Sequence, residues 1–135
     1  MRLYGTYSPT KWDEVTIDVI DDRMKLTKAT IEFDFHGDIE GLAKVEYLMF
    51  YSSFDNEDMH KSQAQYVGQI RVIGTLQGKV GSFVLNDSGT FVRGVANSEL
   101  SVIAGSGTGE LTGISGVGEY AADHKGCTWE MEVSL

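Results

Sequence analysis

The chain has 135 residues, of which 41% are hydrophobic and one is proline; this is typical of a single folded domain, residues 1–135, and not of a disordered segment. Its formal net charge of -9, from 20 acidic and 11 basic residues, repels phosphate backbones and anionic lipid headgroups, so we expect neither nucleic-acid nor membrane partners. The lone Cys127 excludes an internal disulfide and a cysteine-rich metal site.

The N-terminal residues do not contain the apolar stretch of a secretory signal. No segment approaches the ~20 consecutive apolar residues that a membrane-spanning helix needs. We therefore expect a cytoplasmic protein.

Alternation of apolar and polar residues predicts the first strands, at residues 14–20, 28–35 and 39–51. In the third of these, Val45, Tyr47, Met49 and Tyr51 share one face, but Leu48 on the other face is apolar as well. A strand with two apolar faces predicts burial on both sides, so we expect the barrel wall here to contact another subunit or element. Self-association into a homo-oligomer is the resulting prediction.

Residues 52–65 break the alternation and form a long polar connection that could contain a short helix. Thirteen of the sixteen glycines lie beyond it and separate short strand-like segments, because glycine enters the positive-φ conformations that tight turns require. The later strands are predicted at 66–75, 79–86, 90–93, 100–104, 109–114, 118–122 and 128–133.

Eight to ten short strands with almost no helical periodicity predict an all-β fold, either an up-and-down barrel or a sandwich. Glycines inside strands favour the barrel, since they relieve crowding where a sheet coils sharply. We expect a small closed antiparallel β-barrel.

Six segments together resemble one bacterial family, domain of unknown function 3224. They are WDE at 12–14, GDIEG at 37–41, EYLM at 46–49, YVG at 66–68, GKVGSFVL at 78–85 and GSGTGELTG at 105–113. The resemblance implies an allene oxide cyclase-like barrel within the wider group of lipocalin-shaped barrels. The family has no assigned activity, and the catalytic residues of the plant cyclases have no match in this chain.

The glycine-rich segment at 105–109 is followed by Glu110 instead of the Lys-Ser/Thr of a phosphate-binding loop, so nucleotide binding is not predicted. Acidic residues and histidines gather at Asp34, His36 and Asp38 and again between Asp55 and His60. Neither group has a complete set of metal ligands at a recognised spacing. We predict no metal and no cofactor.

Charged groups inside strands are the candidates for chemistry. Glu46 and Glu32 alternate with apolar neighbours; if either faced the lumen, it would be a general acid or base with a shifted pKa. Strand periodicity alone does not reveal which face is inside, so the outer surface remains an alternative for both.

Aromatic and polar strand residues are the candidates for ligand binding. The predicted ligand-binding residues are Tyr47, Tyr51, Tyr66, Gln69, Arg71 and Phe83. Three functions stay open: a barrel that binds a small apolar or lipid-like molecule, a cyclase or isomerase with a buried carboxylate, and a filled barrel that acts through its surface.

Overall fold

The computed structural model describes the backbone of residues 1–135 and every side chain except that of Met59. The elements are β1 (Arg2–Val19), β2 (Lys25–Gly37), β3 (Ile39–Ser53), a 3₁₀ turn (Met59–Lys61), β4 (Gln63–Leu76), β5 (Lys79–Val92), β6 (Val95–Val102), β7 (Thr108–Gly109), β8 (Ser115–Asp123) and β9 (Gly126–Ser134). The 3₁₀ turn lies in the connection where a short helix was considered.

Eight of the strands close into an antiparallel barrel. β1 to β5 each pair with the strand that follows, β6 pairs with β8, β8 with β9, and β9 returns to β1. The short β7 adds only two residues to the edge of β5. The prediction of a closed antiparallel barrel is confirmed; a specific likeness to allene oxide cyclases stays a prediction.

The alternation of each strand determines what fills the lumen. On β3, Ala43, Val45, Tyr47, Met49 and Tyr51 are buried, as expected from their shared face. The residues between them point outward, and Leu48 is 55% exposed. The sequence therefore identified the two faces of β3 correctly, and the structure shows that the aromatic face is the inner one.

One half of the lumen is solid. Aliphatic side chains fill it, including Ile70, Val72 and Leu85. Residues 103–114 fold across this end and bury Leu111 and Ile114 in the core. We call this half the closed end. The strand predicted at 109–114 is wrong beyond Gly109, the last residue of β7. Residues 110–113 form successive turns, in which backbone bonds such as Ile114 N–H to Leu111 O replace a ladder.

Among the other strand boundaries, those of β1 and β5 differ most from the prediction. β1 begins at Arg2, long before the predicted start, because residues 2–6 pair with β9 and close the barrel. β5 runs unbroken through Gly89, where a break was predicted. A turn glycine and a strand glycine look alike in sequence, and here Gly89 lies opposite Tyr66 within a continuous ladder.

Candidate functional site

The other half of the lumen is hollow. A cavity of about 270 Å³ opens between the β5–β6 and β8–β9 turns and the extended β1–β2 hairpin, and all eight barrel strands contribute to its wall. We call it the mouth cavity. Its wall is mainly aromatic and aliphatic and includes Tyr7, Trp12, Ile31, Met49, Phe91 and Ala122. Its size is slightly below the roughly 300–1,000 Å³ of ordinary ligand pockets, so it suits a small guest.

Three tyrosines of the cavity wall come from different strands and meet at their hydroxyl groups. Tyr47 on β3 lies 2.8 Å from Tyr120 on β8, oxygen to oxygen. Tyr120 donates to the Tyr66 hydroxyl at 3.2 Å. All three line the mouth cavity, and we call them the tyrosine cluster.

Two buried polar side chains continue this network. The hydroxyl of Tyr47 is hydrogen-bonded to Oδ2 of Asp87, and the hydroxyl of Tyr66 lies 2.6 Å from Oγ of Ser98. Asp87 is only 2% exposed, and its second carboxyl oxygen, Oδ1, is buried without a hydrogen-bond partner. A buried carboxyl group with one unsatisfied oxygen is costly, and such groups concentrate at functional sites.

Glycines on the neighbouring strands make room for this network. A Cβ at Gly68 would lie 2.6 Å from the ring of Tyr47, and a Cβ at Gly89 would lie 2.6 Å from the Tyr66 hydroxyl. Both glycines occupy inward positions of β4 and β5, where a side chain would otherwise fill the lumen. Glycine is therefore required at both positions by close approach.

Burial affects the ionisation of the network. It raises the pKa of Asp87 above its ordinary value, an effect that the hydroxyls of Tyr47, Ser98 and Tyr120 partly oppose. Burial also raises the pKa of Tyr47, Tyr66 and Tyr120, so these phenols stay neutral at physiological pH.

The structure places both candidate catalytic carboxylates on the outside of the barrel. Glu46 is exposed, accepts a hydrogen bond from Thr30 and forms an ion pair with Lys28. Glu32 alternates with the buried Ile31 and Phe33 and so points away from the lumen. Neither carboxylate reaches the cavity, and the buried carboxyl group is instead that of Asp87.

The predicted ligand-binding residues divide into three groups. Tyr47 and Tyr66 line the mouth cavity. Tyr51 is buried, with its hydroxyl donating to Glu14 at 2.8 Å, and Phe83 is buried in the aliphatic core. Gln69 and Arg71 are exposed on the outer face of β4, because they alternate with the inward Ile70 and Val72. Two of the six predicted ligand-binding residues therefore line the mouth cavity.

The sequence analysis missed Asp87, Ser98 and Tyr120. The predicted strands at 79–86 and 90–93 leave residues 87–89 between them, so the prediction does not place Asp87 on a strand face. A continuous β5 would have placed it in register with Leu85 and Phe91 on the apolar face. That alternation is the signal that identifies a buried carboxyl group.

A larger concavity of about 1060 Å³ crosses the outside of the wall and is lined mainly by exposed residues such as Leu48, Val67 and Thr90. It is open, and Tyr66, Ser98 and Tyr120 of the buried network line it as well. The mouth cavity is the better candidate despite its smaller volume, because it lies inside the barrel and its inner wall consists of buried side chains such as Tyr7, Ile31 and Phe33. Among the described side chains no group of three or more His, Cys, Asp or Glu residues could hold a metal ion.

The sequence profile of the family described as protein of unknown function (DUF3224) matches residues 3–133. The chain belongs to this family. A DUF3224 protein of unknown function from Shewanella oneidensis has a similar crystal structure, with a TM-score of 0.75 and 22% sequence identity over 100% of this chain and 97% of that one. At this identity the similarity shows the shared fold alone.

No curated protein matches the DUF3224 chain. Within the described residues, no helix has the length and apolar character needed to cross a bilayer. The cytoplasmic location stays a prediction.

Proposed function

We propose that this DUF3224 protein binds a small, largely apolar molecule in the mouth cavity. The observation that carries the proposal is the division of the lumen: the closed end is packed with aliphatic side chains, whereas the mouth end leaves about 270 Å³ between aromatic walls. An eight-stranded barrel that only needed stability would fill both ends.

The chemistry of the wall indicates the class of guest. Ile31, Met49 and Phe91 offer apolar contact, and Trp12 stands at the entrance with 53% of its surface exposed. The polar groups of the wall concentrate in the tyrosine cluster, which orients a guest with one polar end. Among the described lining residues the charged one is Asp123, which is exposed at the end of β8, so the interior of the cavity favours a neutral molecule.

A blocking substitution tests this proposal. N-phenyl-1-naphthylamine is a neutral fluorophore that brightens in an apolar site, and we expect it to bind the wild-type protein saturably. Ala122→Trp fills the cavity and abolishes the signal, whereas Ala121→Trp, one residue away on the exposed face of β8, leaves it unchanged.

A second blocking variant, Ala96→Phe, repeats the test from β6, since Ala96 lines the same cavity. Circular dichroism and thermal unfolding establish that each variant is folded. Equal fluorophore binding by the blocked variants and the wild type would contradict the proposal, as would no saturable binding to any folded protein.

A cyclase or isomerase is the second candidate, and one observation favours it. A chain of hydroxyls joins the buried carboxyl group of Asp87 to the cavity wall through Tyr47 and Tyr120. In molecules whose Asp87 is ionised, such a chain can take a proton from the α-carbon of a guest: a cluster hydroxyl accepts it while the hydroxyl hydrogen of Tyr47 passes to the carboxylate, and the reverse steps return a proton that has exchanged with solvent. In D₂O, the wild type but not Asp87→Asn would then catalyse deuterium exchange at the α-carbon of a bound ketone such as 1-tetralone. Exchange at the uncatalysed rate in the wild type would contradict the cyclase or isomerase candidate and would leave ligand binding as the proposed function.

A further inference from the structure

The hydrogens of the buried network can be counted. Four contacts link its members in a row: Asp87 to Tyr47, Tyr47 to Tyr120, Tyr120 to Tyr66, and Tyr66 to Ser98. Each hydroxyl carries one hydrogen and can donate once. The four hydroxyls therefore supply only four hydrogens, and the direction of one contact fixes the direction of its neighbours.

The contact between Tyr120 and Tyr66 has a defined direction, with Tyr120 as the donor. Its hydrogen is then unavailable for Tyr47, so Tyr47 must donate across their 2.8 Å contact. If Asp87 is ionised, Tyr47 is the donor to its carboxylate, and the 2.8 Å contact between Tyr47 and Tyr120 is left without a hydrogen. A proton on Oδ2 of Asp87, donated to Tyr47, supplies the missing hydrogen, because Tyr47 is then free to donate to Tyr120.

The surroundings of Asp87 lead to the same conclusion independently. The side chain is 2% exposed, and Oδ1 has no partner. Among the described side chains, no lysine, arginine or histidine forms an ion pair with it. An isolated buried carboxylate ion is far more costly than the neutral acid.

Building on the proposed binding function, we propose that Asp87 is a neutral carboxylic acid and that it directs the hydroxyl of Tyr120 to donate a hydrogen bond to a carbonyl oxygen of the guest. The Tyr120–Tyr66 contact, at 3.2 Å, is the longer of the two that Tyr120 makes. A carbonyl oxygen in the cavity is a better acceptor than this distant phenol and takes its place. The guest is thus a small neutral molecule with an apolar body and a carbonyl group.

An ionised Asp87 would reverse this arrangement. Tyr47 would donate to the carboxylate, Tyr120 would donate to Tyr47, and the cavity would face a hydroxyl with no free hydrogen. The protonation state of Asp87 therefore determines whether the Tyr120 hydroxyl donates a hydrogen bond to a guest or accepts one. A hydrogen-bond donor fixed in an apolar, water-poor site discriminates between guests by whether they offer an acceptor.

A matched pair of guests tests this inference. 1-Tetralone and tetralin share one bicyclic frame and differ by a ketone oxygen. Each is titrated as a competitor of N-phenyl-1-naphthylamine, and the ratio of their displacement concentrations is compared between the wild type and Tyr120→Phe. The lost hydrogen bond shifts this ratio roughly tenfold toward tetralin in the variant.

Two control variants accompany the pair. Tyr51→Phe removes a hydroxyl that donates to Glu14 at 2.8 Å, outside the mouth cavity; it leaves the ratio at the wild-type value. Asp87→Asn replaces the neutral acid with an amide that also donates, and it keeps the ketone preference. The infrared carbonyl stretch of bound 1-tetralone lies at lower wavenumber in the wild type than in Tyr120→Phe.

The outcomes separate the two proposals. Displacement by both guests with the same ratio in the wild type and Tyr120→Phe overturns the carbonyl site and leaves the binding function standing. Loss of the ketone preference in Asp87→Asn, with the fold intact, also overturns it, because a required carboxylate is then indicated. Failure of the fluorophore and both guests to bind overturns the binding function itself.

Discussion

Tyr47 and Asp87 are 40 residues apart in sequence, yet the hydroxyl of one is hydrogen-bonded to the carboxyl group of the other inside the barrel. Gly68 on β4 lies opposite Tyr47 in the register and is also opposite Asp87 on β5. The glycine between them leaves the space in which tyrosine and carboxyl group meet. Three adjacent strands, β3, β4 and β5, thus form the site in which the carboxyl group of Asp87 is buried.

The first prediction concerns Asp87 and pH. Its raised pKa means that the folded protein holds a proton that the unfolded chain releases above its ordinary value of 3.8. Stability is therefore greatest below that value and is lost as the pH rises through the folded-state pKa. The neighbouring Tyr47, Tyr66 and Tyr120 stay neutral in this range and do not contribute.

Urea unfolding of the wild type and Asp87→Asn between about pH 4 and pH 8 measures this loss. The wild type loses stability relative to the variant as the pH rises, since the amide does not ionise. A difference between the two proteins that is independent of pH, or that changes in the opposite direction, is inconsistent with a raised pKa at Asp87.

The second prediction concerns Gly89. A Cβ there would lie 2.4 Å from the carbonyl oxygen of Asn97 and 2.6 Å from both Ser98 Oγ and the Tyr66 hydroxyl. Gly89→Ala therefore destabilises the protein by about 1–3 kcal/mol through overpacking, as measured by the urea midpoint. Ser88→Ala, at the adjacent exposed position, serves as the control and changes the midpoint little. Equal midpoints for the two variants would show that the wall yields easily at Gly89.

The third prediction concerns a row of acidic residues on the outer surface. Glu119 on β8 lies directly between Glu99 on β6 and Glu130 on β9. The adjacent Glu130 raises the pKa of Glu119, so the ionised row opposes folding. Glu119→Gln consequently stabilises the protein above the raised pKa, and the gain diminishes in high salt. Glu57→Gln, which removes the same charge from the β3–β4 connection, does not reproduce the gain; a similar gain there would indicate an effect of net charge.

The fourth prediction concerns self-association. On the outer face of β3 and β4, Leu48 and Val67 lie opposite each other and are 55% and 56% exposed. We expect light scattering to give a multiple of the 14.8 kDa chain mass, and Leu48→Glu to reduce it to the monomer. Val117→Glu, equally exposed on the opposite side of the barrel, preserves the oligomer. A monomeric wild type would contradict the expectation.

The sequence predicted the architecture because period-two alternation and glycine turns are local signals. It also grouped the inward residues of β3 correctly, from Val45 to Tyr51, because burial on a strand repeats every second residue. It could not assign Glu46 to a side, since the outer face of β3 carries Leu48 and is apolar too. Glu32 shares its face of β2 with Lys28, and that polar face was the signal that it points outward. Closure of the sheet into a barrel determines which face of each strand lies inside.

The buried network was hidden for a different reason. Tyr47, Asp87 and Tyr120 lie on three strands, and no local pattern relates residues that meet only across a lumen. Asp87 was obscured further by its turn-like neighbours, Asn86 and Ser88. The hollow mouth and solid closed end depend on side-chain volumes and on residues 103–114 folding inward, which alternation does not encode.

The position of a bound guest tests the central claim most directly. Met49 and Leu48 are neighbours on β3, but Met49 lines the mouth cavity and Leu48 points to the outer surface. With methyl-labelled protein and 1-tetralone, we expect intermolecular nuclear Overhauser effects from the guest to the methyl groups of Met49 and Ile31. Contacts to the methyl groups of Leu48 and Val67 instead would place the guest outside the barrel and contradict a ligand-binding lumen.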